Sequence, residues 1–272
     1  MKADQPIKDS EYLSTLERGL SVLRAFSRER PEMTLSQVAA QTGLSPAVAR
    51  RCLHTLVELG YVAKQNKRFL LTAEVMAFAS AFLESMNLEQ VVRPHLQEVR
   101  DETGDSSSMA VFSDPDVLYL IHVSTNRMVR LAAGIGTRFP AHATSLGRII
   151  VAHLSEERRR AYLRDTPLNR YTDKTLVDRR RLGQVLKQAA ANDYASIQDE
   201  LDYGIVSVAV PVRSGDGEVI AAINCSTATS RVDPGEMLAT RLPVLRRAAR
   251  AIEIELQRYP VLVNSIRAAA RD

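Results

Sequence analysis

The stretch from Ser45 to Gly60, SPAVARRCLHTLVELG, constrains the fold more than any other part of the chain. Ser45 can cap a helix, and Pro46 suits the first helical position, where no N–H is needed. Apolar residues recurring at three- and four-residue steps predict one packed face, made of Val48, Cys52, Leu56 and Leu59. The other side is predicted to be exposed and basic, with Ala47, Arg50, Arg51 and His54.

Two further helices are predicted before this stretch. Thr34 and Gln37 have the spacing of a capping box, and Gly43 is the expected C-terminal cap of that helix. An earlier amphipathic helix is indicated by the apolar series Leu16, Leu20, Leu23 and Phe26. A helix, a short turn containing glycine and a second helix form the helix-turn-helix arrangement.

A basic hairpin is predicted directly after Gly60. The β-prone runs YVAK and RFLLT flank Asn66, which can adopt the positive φ of a tight turn. Its cations can neutralise phosphates while the preceding helix contacts base edges, so the segment is predicted to be a winged helix-turn-helix that binds double-stranded DNA. The candidate DNA-binding residues are Thr34, Ser45, Ala47, Arg50, Arg51, His54, Lys64, Lys67 and Arg68.

The segment from Thr72 to Ser85, TAEVMAFASAFLES, is apolar around most of its helical circumference. Such a helix must be buried on several sides, so it either connects domains or packs against a second copy of itself. A homodimer would place two recognition helices about one turn of DNA apart, facing a two-fold symmetric site.

The remainder of the chain predicts an α+β fold with a mainly antiparallel sheet and helices on its faces. SMAVFS and VLYLIHV flank a turn at residues 114–116, and MVRLAA is predicted to be a third strand. Pro94 is expected to open a helix that Gly104 closes, and a long helix is expected from Pro234 to Arg258. The predicted domains are 12–72 for DNA binding, 73–86 for the linker helix, and 87–260 for the larger domain.

Composition narrows the class of protein further. Two cysteines, Cys52 and Cys225, fall in different predicted domains, so a disulfide framework is not expected and a reducing cytoplasm fits. The polar start, residues 1–11, is expected to be a flexible tail, and no apolar run is long enough to span a bilayer. A soluble cytoplasmic protein without a membrane partner, metal or cofactor is the prediction.

Several motifs together resemble one family. LERGLSVLRAF, TLSQVAAQTGLSPAVARRCLHTLVELGYV, PAHATSLGR, DELDYGIVSVAVPV and AAINCSTATSR occur in the order typical of IclR-type transcriptional regulators. The chain is most similar to the Pca, Pob and Cat branch, which controls aromatic-acid catabolism through the β-ketoadipate pathway. The resemblance implies a dimerising linker helix, a GAF-like effector domain, assembly as a dimer or dimer of dimers, and RNA polymerase as a partner if the protein activates transcription.

The resemblance also implies a site for a small carboxylic acid. A helix N-terminus at Thr144 and Ser145 suits a carboxylate, and Gly147 is expected to let the ligand approach the backbone. The candidate effector-binding residues are Arg130, His142, Ala143, Thr144, Ser145, Leu146, Gly147, Ser207, Asn224 and Ser226. Ile197 and Asn224 replace an acidic residue and a serine typical of keto-acid sensors, which favours an aromatic acid or a β-ketoadipate-pathway intermediate.

Two other classes of function are weighed against this prediction. An enzyme is disfavoured because the five histidines are scattered and the GIG motif at Gly134 lacks the rest of a phosphate loop. The carboxylates Asp199, Glu200 and Asp202 are expected to be solvated or to cap a turn, and His142 is equally compatible with a satisfied core histidine. The second alternative is a DNA-binding protein whose larger domain serves only for assembly.

Overall fold

The computed structural model describes residues 11–27, 29–125 and 133–269, and for residues 85, 86 and 269 the backbone only. The chain divides into two compact units, the first ending at Phe82 and the second beginning at Leu83. Among the described residues no helix is long and apolar enough to cross a membrane. Residues 1–10 of the predicted tail and residues 128–132 of the predicted third strand (128–133), Arg130 among them, lie outside the described residues.

The first unit is three helices and a small sheet. The helices are α1 (Ser14–Arg24), α2 (Leu35–Thr42) and α3 (Pro46–Glu58). The strands β1 (Glu32–Thr34), β2 (Val62–Gln65) and β3 (Arg68–Leu71) pair antiparallel in the order β1-β3-β2. The capping box of Thr34 and Gln37 is present, Gly43 has φ +67°, and Asn66 has φ +55° at the hairpin turn. The predicted winged helix-turn-helix is confirmed, with β1 as an unforeseen third strand.

The apolar helix after the wing begins with a short 3₁₀ turn at Ala73–Val75 and continues as α4 (Met76–Met86). Thr72 caps this turn, because its hydroxyl accepts the Glu74 N–H at 3.2 Å. Met76 and Phe78 are largely exposed in the single chain. The helix therefore keeps apolar surface that its own chain leaves in contact with water.

The second unit contains a six-stranded antiparallel sheet in the order β6-β5-β4-β9-β8-β7. Its strands are β4 (Ser106–Ser113), β5 (Asp116–Val123), β6 (Arg138–Pro140), β7 (Ala195–Gln198), β8 (Ile205–Arg213) and β9 (Val219–Ala228). The predicted hairpin is confirmed as β4 and β5. The predicted α+β class with an antiparallel sheet is confirmed too.

Helices cover both faces of this sheet. Along the chain they are α5 (Leu88–Thr103), α6 (Ser145–Ala152), α7 (Glu156–Asp165), α8 (Arg179–Asn192), α9 (Pro234–Glu236), α10 (Leu242–Leu256) and α11 (Pro260–Ala269). One apolar core joins α6, α7 and α8 to alternate strand residues such as Ala110 and Phe112. Because neighbouring residues in a strand point to opposite faces, Met109 and Val111 face the other layer. The remaining long helices, α5, α10 and α11, contact the sheet there.

The helices of the second unit differ from the prediction at three places. Pro94 lies inside α5, which already begins at Leu88, so an interior proline is mistaken for a helix start. The long helix predicted from Pro234 is interrupted by a π-helical turn at Met237–Arg241. A further helix, α11, follows Tyr259, and its Leu262 and Ile266 are almost completely buried beyond the predicted domain end at residue 260.

Candidate functional site

The exposed side of α3 carries the predicted residues. Ala47, Arg50, Arg51 and His54 are all exposed. Ser45 caps the helix by accepting the Val48 N–H at 3.4 Å, as predicted. The packed face, however, is rotated from the predicted one, because Leu59 is 59% exposed and the buried positions are Ala49, Cys52, Leu53 and Leu56.

The two arginines of α3 have different surroundings. Successive helical residues are about 100° apart, so Arg51 projects within roughly 30° of the direction opposite the buried face, and Arg50 projects about 70° from it. Arg51 also borders a groove of about 510 Å³ between α1 and α3, whereas Arg50 does not. The centre of the exposed face is therefore formed by Ala47, Arg51 and His54.

The wing supplies three further cations. Lys64, Lys67 and Arg68 are exposed, and the Lys64 Nζ lies 5.9 Å from the centre of the Phe69 ring. Arg68 is 3.3 Å from a Glu32 carboxylate oxygen, an ion pair that offsets part of its positive charge. The polar groups of Thr34 already have partners within the domain, since its hydroxyl and its N–H donate to Gln37 Oε1 at 3.1 and 2.8 Å. Thr34 therefore has a capping role in this structure.

An apolar groove occupies one side of the first unit. Leu16 and Leu20 of α1, two members of the predicted apolar series, are 60% and 45% exposed, and Val22 is the buried residue of the helix. The groove also includes Tyr61 and Phe78, whose rings stack with centroids 5.2 Å apart. The first half of the predicted apolar series is thus an external surface of the single chain, whereas Leu23 and Phe26 pack against the core.

A row of polar side chains crosses the sheet of the second unit on the face covered by α6. Ser145 Oγ, at the start of α6, lies 2.8 Å from Ser207 Oγ on β8. Asn224 on β9 donates from Nδ2 to Ser207 Oγ at 3.2 Å and accepts the Ser108 N–H at 3.0 Å. Ser108 Oγ on β4 lies 2.9 Å from His122 Nδ1 on β5. These five residues, called the polar row below, form one hydrogen-bonded chain over four adjacent strands.

Three predicted effector residues, Ser145, Ser207 and Asn224, belong to this row. Ser226 is the strand partner of both Ser207 and Ser106 and is partly exposed beside it. Ile197 pairs with Ser207 across β7 and β8 and is buried, so an apolar side chain flanks the row. Ala143 and Leu146 are also completely buried, with Leu146 in the core shared by α6, α7 and α8.

The start of α6 differs from expectation in two respects. The Thr144 hydroxyl accepts the Gly147 N–H at 3.1 Å, so it caps its own helix rather than presenting itself to a ligand. A Cβ at Gly147 would lie 2.2 Å from the Ala141 Cα, so the absent side chain permits contact with protein backbone. The contact seen at Gly147 is thus with the Ala141 backbone, and its approach to a ligand stays a prediction.

A buried ion pair holds α6 against the loop before β8. Arg148, 3% exposed, donates from Nη1 to Glu200 Oε1 at 2.6 Å and from Nε to the His142 carbonyl at 2.8 Å. Glu200 also accepts the Leu176 N–H at 2.9 Å. The expectation that Glu200 is solvated is therefore wrong, because its charge is neutralised inside the protein.

Asp199, by contrast, caps a turn as expected. It accepts the Gly204 N–H at 2.6 Å and pairs with Lys174 Nζ at 2.6 Å. The hydrogen bond from Lys174 is the main reason that the pKa of Asp199 lies below its ordinary value. Its carboxylate thus has structural partners on both oxygens.

His142 is enclosed by protein. Its ring is 2% exposed, Nε2 lies 3.0 Å from the Asn169 carbonyl oxygen, and burial lowers its pKa. Nδ1 is buried and has no hydrogen-bond partner among the described atoms. No group of histidine, cysteine and carboxylate side chains suited to a metal occurs within the described ranges, and both cysteines are free and buried.

Sequence reasoning missed Ser108, His122, Arg148 and Glu200. Ser108 and His122 belong to β-prone runs, but their pairing depends on a bulge between Met109 and Ala110 that shifts the register. Arg148 and Glu200 are 52 residues apart, and both residue types are usually exposed. No local signal links either pair.

Comparison with known proteins decides the family. The model of the IclR helix-turn-helix domain matches residues 15–66, and that of the bacterial transcriptional regulator IclR C-terminal domain matches residues 80–254. The chain belongs to the IclR family of transcriptional regulators. The predicted resemblance is thereby confirmed, and the named relatives are regulators rather than enzymes.

Among IclR-family relatives, the Pca regulon regulatory protein of Pseudomonas putida is 33% identical over 89% of this chain and 84% of its own length. The p-hydroxybenzoate hydroxylase transcriptional activator of Acinetobacter baylyi is 32% identical over 92% of this chain and 94% of its own. A crystal structure of an IclR homolog from Microbacterium hydrocarbonoxydans in complex with 4-hydroxybenzoate superposes with a TM-score of 0.73. It is 27% identical and covers 89% of this chain and 99% of that one.

Proposed function

We propose that this IclR-family regulator binds a two-fold symmetric operator in the cytoplasm and responds to an aromatic acid or a related pathway intermediate. The polar row carries the proposal for the effector, because it places hydroxyl and amide groups at a helix N-terminus within an otherwise apolar interior. Hydroxyls and helix N-terminal N–H groups are suitable donors to a carboxylate. Two relatives, the p-hydroxybenzoate hydroxylase transcriptional activator and the homolog in complex with 4-hydroxybenzoate, support the aromatic class.

For the operator, we propose that Ala47, Arg51 and His54 face the bases and that Arg50, Ser45, Lys64 and Lys67 contact the backbone. Small Ala47 at the start of α3 allows a close approach, and Arg51 is central on the exposed face. Thr34 and Arg68 are weaker candidates because each already has an intramolecular partner. If the operator lies at a position from which the bound protein activates transcription, RNA polymerase is a further partner.

A homodimer is proposed from the apolar groove of the first unit. Leu16, Leu20 and Phe78 expose large apolar side chains on one side of a small domain. Contiguous exposed apolar surface of this kind marks an interaction site, and a second copy would bury the same patch on both chains. Pairing of such dimers on DNA would give a tetramer.

Operator mapping with and without candidate acids tests the proposal. Footprints of the full chain are expected to cover two half-sites, and an aromatic acid is expected to change their affinity or extent. Calorimetry with the same acids is the companion measurement. Saturable binding supports sensing; a larger domain that binds none of these acids supports the assembly-only alternative, and preference for pyruvate or glyoxylate overturns the aromatic class.

A further inference from the structure

A second basic surface lies where helices α7 and α8 of the second unit meet. Residues 156–187 contain ten lysines and arginines against five acidic residues, a net charge of +5 in a chain whose total is +4. Arg179 donates from Nη2 to the Thr166 carbonyl oxygen at 2.9 Å and from Nη1 to the Leu163 carbonyl oxygen. The three consecutive arginines that begin α8 therefore lie beside the end of α7.

The stability of α8 does not explain this run of arginines. Arg179, Arg180 and Arg181 occupy the first turn of the helix, where the helix dipole is positive and a cation is unfavourable. Mutual repulsion of three adjacent cations adds to this effect. Asp178 caps the helix by accepting the Arg181 N–H at 2.7 Å, so the first turn does not need the arginine side chains. An anionic partner would relieve both unfavourable effects.

Two of the cations project directly away from the protein. The buried side of α8 is formed by Leu182, Leu186 and Ala189. At about 100° per residue, Arg180 and Lys187 project within roughly 50° of the opposite direction, and they are about 10 Å apart along the helix. Both are exposed, and neither has an ion pair within the part of the chain that the structure describes. Their charges are therefore available to a partner.

The spacing of these cations favours a polyanion over a small anion. A small anion is bound by donors that converge on one point, whereas Arg180 and Lys187 are about two helical turns apart. Phosphates follow one another about every 3.4 Å along each strand of DNA, so a stretch of about 10 Å presents roughly three of them. DNA is the polyanion that a regulator with an IclR helix-turn-helix domain meets at its operator.

We propose that the exposed face of α8, centred on Arg180 and Lys187, binds the phosphate backbone of the DNA next to the operator half-sites. This inference rests on the proposed binding to an operator and extends the DNA contact from the first unit to the second. Phosphates are the same beside every base, so the contact adds affinity for all DNA sequences and leaves sequence discrimination to the first unit.

Fluorescence anisotropy of the full chain with operator and non-operator DNA between 50 and 200 mM salt tests this. The double variant Arg180→Gln, Lys187→Gln is expected to lower the slope of log affinity against log salt by about two, since each lost phosphate contact lowers it by about one. The loss of affinity across that salt range is then about tenfold smaller than for the wild type. Discrimination between the two DNAs should not change. The thermal midpoint should stay the same or rise, because a cation leaves the N-terminus of α8.

Arg247→Gln combined with Arg250→Gln is the matched control, because it removes the same charge from exposed positions of α10, on the other face of the sheet. Its salt slope is expected to equal that of the wild type. An unchanged slope in the α8 variant, or an equal decrease in the control, overturns the inference and leaves operator binding by α3 and the wing standing.

Sedimentation velocity without DNA separates a further outcome. If the α8 variant has a normal salt slope but a smaller oligomer than the wild type, the surface binds another protein chain and the inference is overturned. If the wild-type chain binds no DNA at all, the proposed operator binding fails, and this inference fails with it.

Discussion

Single residues in this chain acquire their roles from what surrounds them rather than from their type. Arg50 and Arg51 are adjacent and exposed, yet Arg51 is central on the face of α3 opposite the core. Gly147 has an ordinary place in a helix, yet the Ala141 backbone occupies the space where a side chain would lie. In each case, a substitution at the residue is expected to have a different effect from the same substitution at an adjacent or chemically equivalent residue.

Arg51→Ala is expected to relax sequence discrimination by roughly 1 to 3 kcal/mol, the contribution of an arginine that pairs with a guanine edge. Arg50→Ala is expected to weaken operator and non-operator DNA by similar factors. Fluorescence anisotropy with the operator and single-base variants measures both. The reverse pattern would assign base contact to Arg50, and a normal footprint from the double variant would exclude α3 as the recognition helix.

Gly147→Ala is expected to destabilise the second unit by roughly 1 to 3 kcal/mol, because the new methyl group collides with rigid backbone. Gly183→Ala is the matched control, since Gly183 lies within helix α8 and a Cβ there would make only an ordinary contact, 3.5 Å from a side-chain atom of Leu163 on α7. Urea denaturation of both variants measures the difference. A Gly147→Ala protein as stable as the wild type would mean that the Ala141 segment moves aside easily.

At the scale of elements, hydrogen bonds and charges join segments that are distant in sequence. Arg148 and Glu200 join α6 to the loop before β8, and Asn224 joins β9 to β4 through the Ser108 N–H. The wing is joined to β1 by the ion pair between Arg68 and Glu32. These contacts hold the start of α6 beside the polar row. In the wing, the ion pair offsets part of the charge of Arg68, so the cations of the wing are expected to contribute differently to DNA binding.

Arg148→Met is expected to reduce the free energy of unfolding by roughly 3 to 5 kcal/mol, because Glu200 would keep a buried charge without its partner. Combining it with Glu200→Gln should recover part of that loss. Arg160→Ala removes an exposed pair with Glu156 and should change stability by less than about 0.5 kcal/mol. Equal effects of Arg148→Met and Arg160→Ala in denaturant titrations would refute the structural importance of the buried pair.

Lys67→Ala is expected to weaken binding to all DNA sequences alike and to lower the slope of log affinity against log salt by about one. Arg68→Ala should lower the slope by less, since Glu32 already offsets part of its charge. Affinities measured between 50 and 200 mM salt, a range over which phosphate contacts are strongly weakened, give both slopes. An unchanged slope for Lys67→Ala would remove Lys67 from the interface.

At the scale of the whole molecule, the two units differ in which side chains they expose to solvent. The first unit exposes apolar side chains of α1 and α4, while the second encloses most of its polar row and the ion pair between Arg148 and Glu200. Exposed apolar grooves favour association, and two associated copies would present two α3 helices to DNA. Because α1 lines the groove, a change in α1 that weakens the dimer is therefore expected to weaken DNA binding as well.

Leu16→Glu is expected to shift the protein toward monomer and to reduce operator affinity at low concentration, without lowering the stability of the isolated fold. The reason is that a charge in the groove is solvated in the monomer but would be buried in the dimer. Val261→Glu is the control, since Val261 is exposed to a similar extent and does not border the groove. Sedimentation velocity measures the shift; a dimer that persists in Leu16→Glu would place the interface elsewhere.

The sequence by itself determined the features that depend on neighbours within a few residues. These include the caps at Thr34 and Ser45, the glycine end of α2, the turn at Asn66 and the hairpin of β4 and β5. Apolar spacing predicted that α1 and α3 exist but misplaced the packed side of α3, since Leu59 satisfies the spacing and remains exposed. Periodicity reports that a helix is amphipathic; what covers each side depends on elements elsewhere in the chain.

Tertiary structure alone decided the polar row, the buried ion pair and the role of Gly147. Ser108 and Asn224 are 116 residues apart, and Ser145 and Ser207 are 62 apart. Their contacts exist because strand order and a bulge place them side by side on one face of the sheet. Local propensity extends over a few residues, whereas hydrogen bonds between strands depend on how the whole chain is arranged, so the end of the polar row that includes His122 became visible only in the fold.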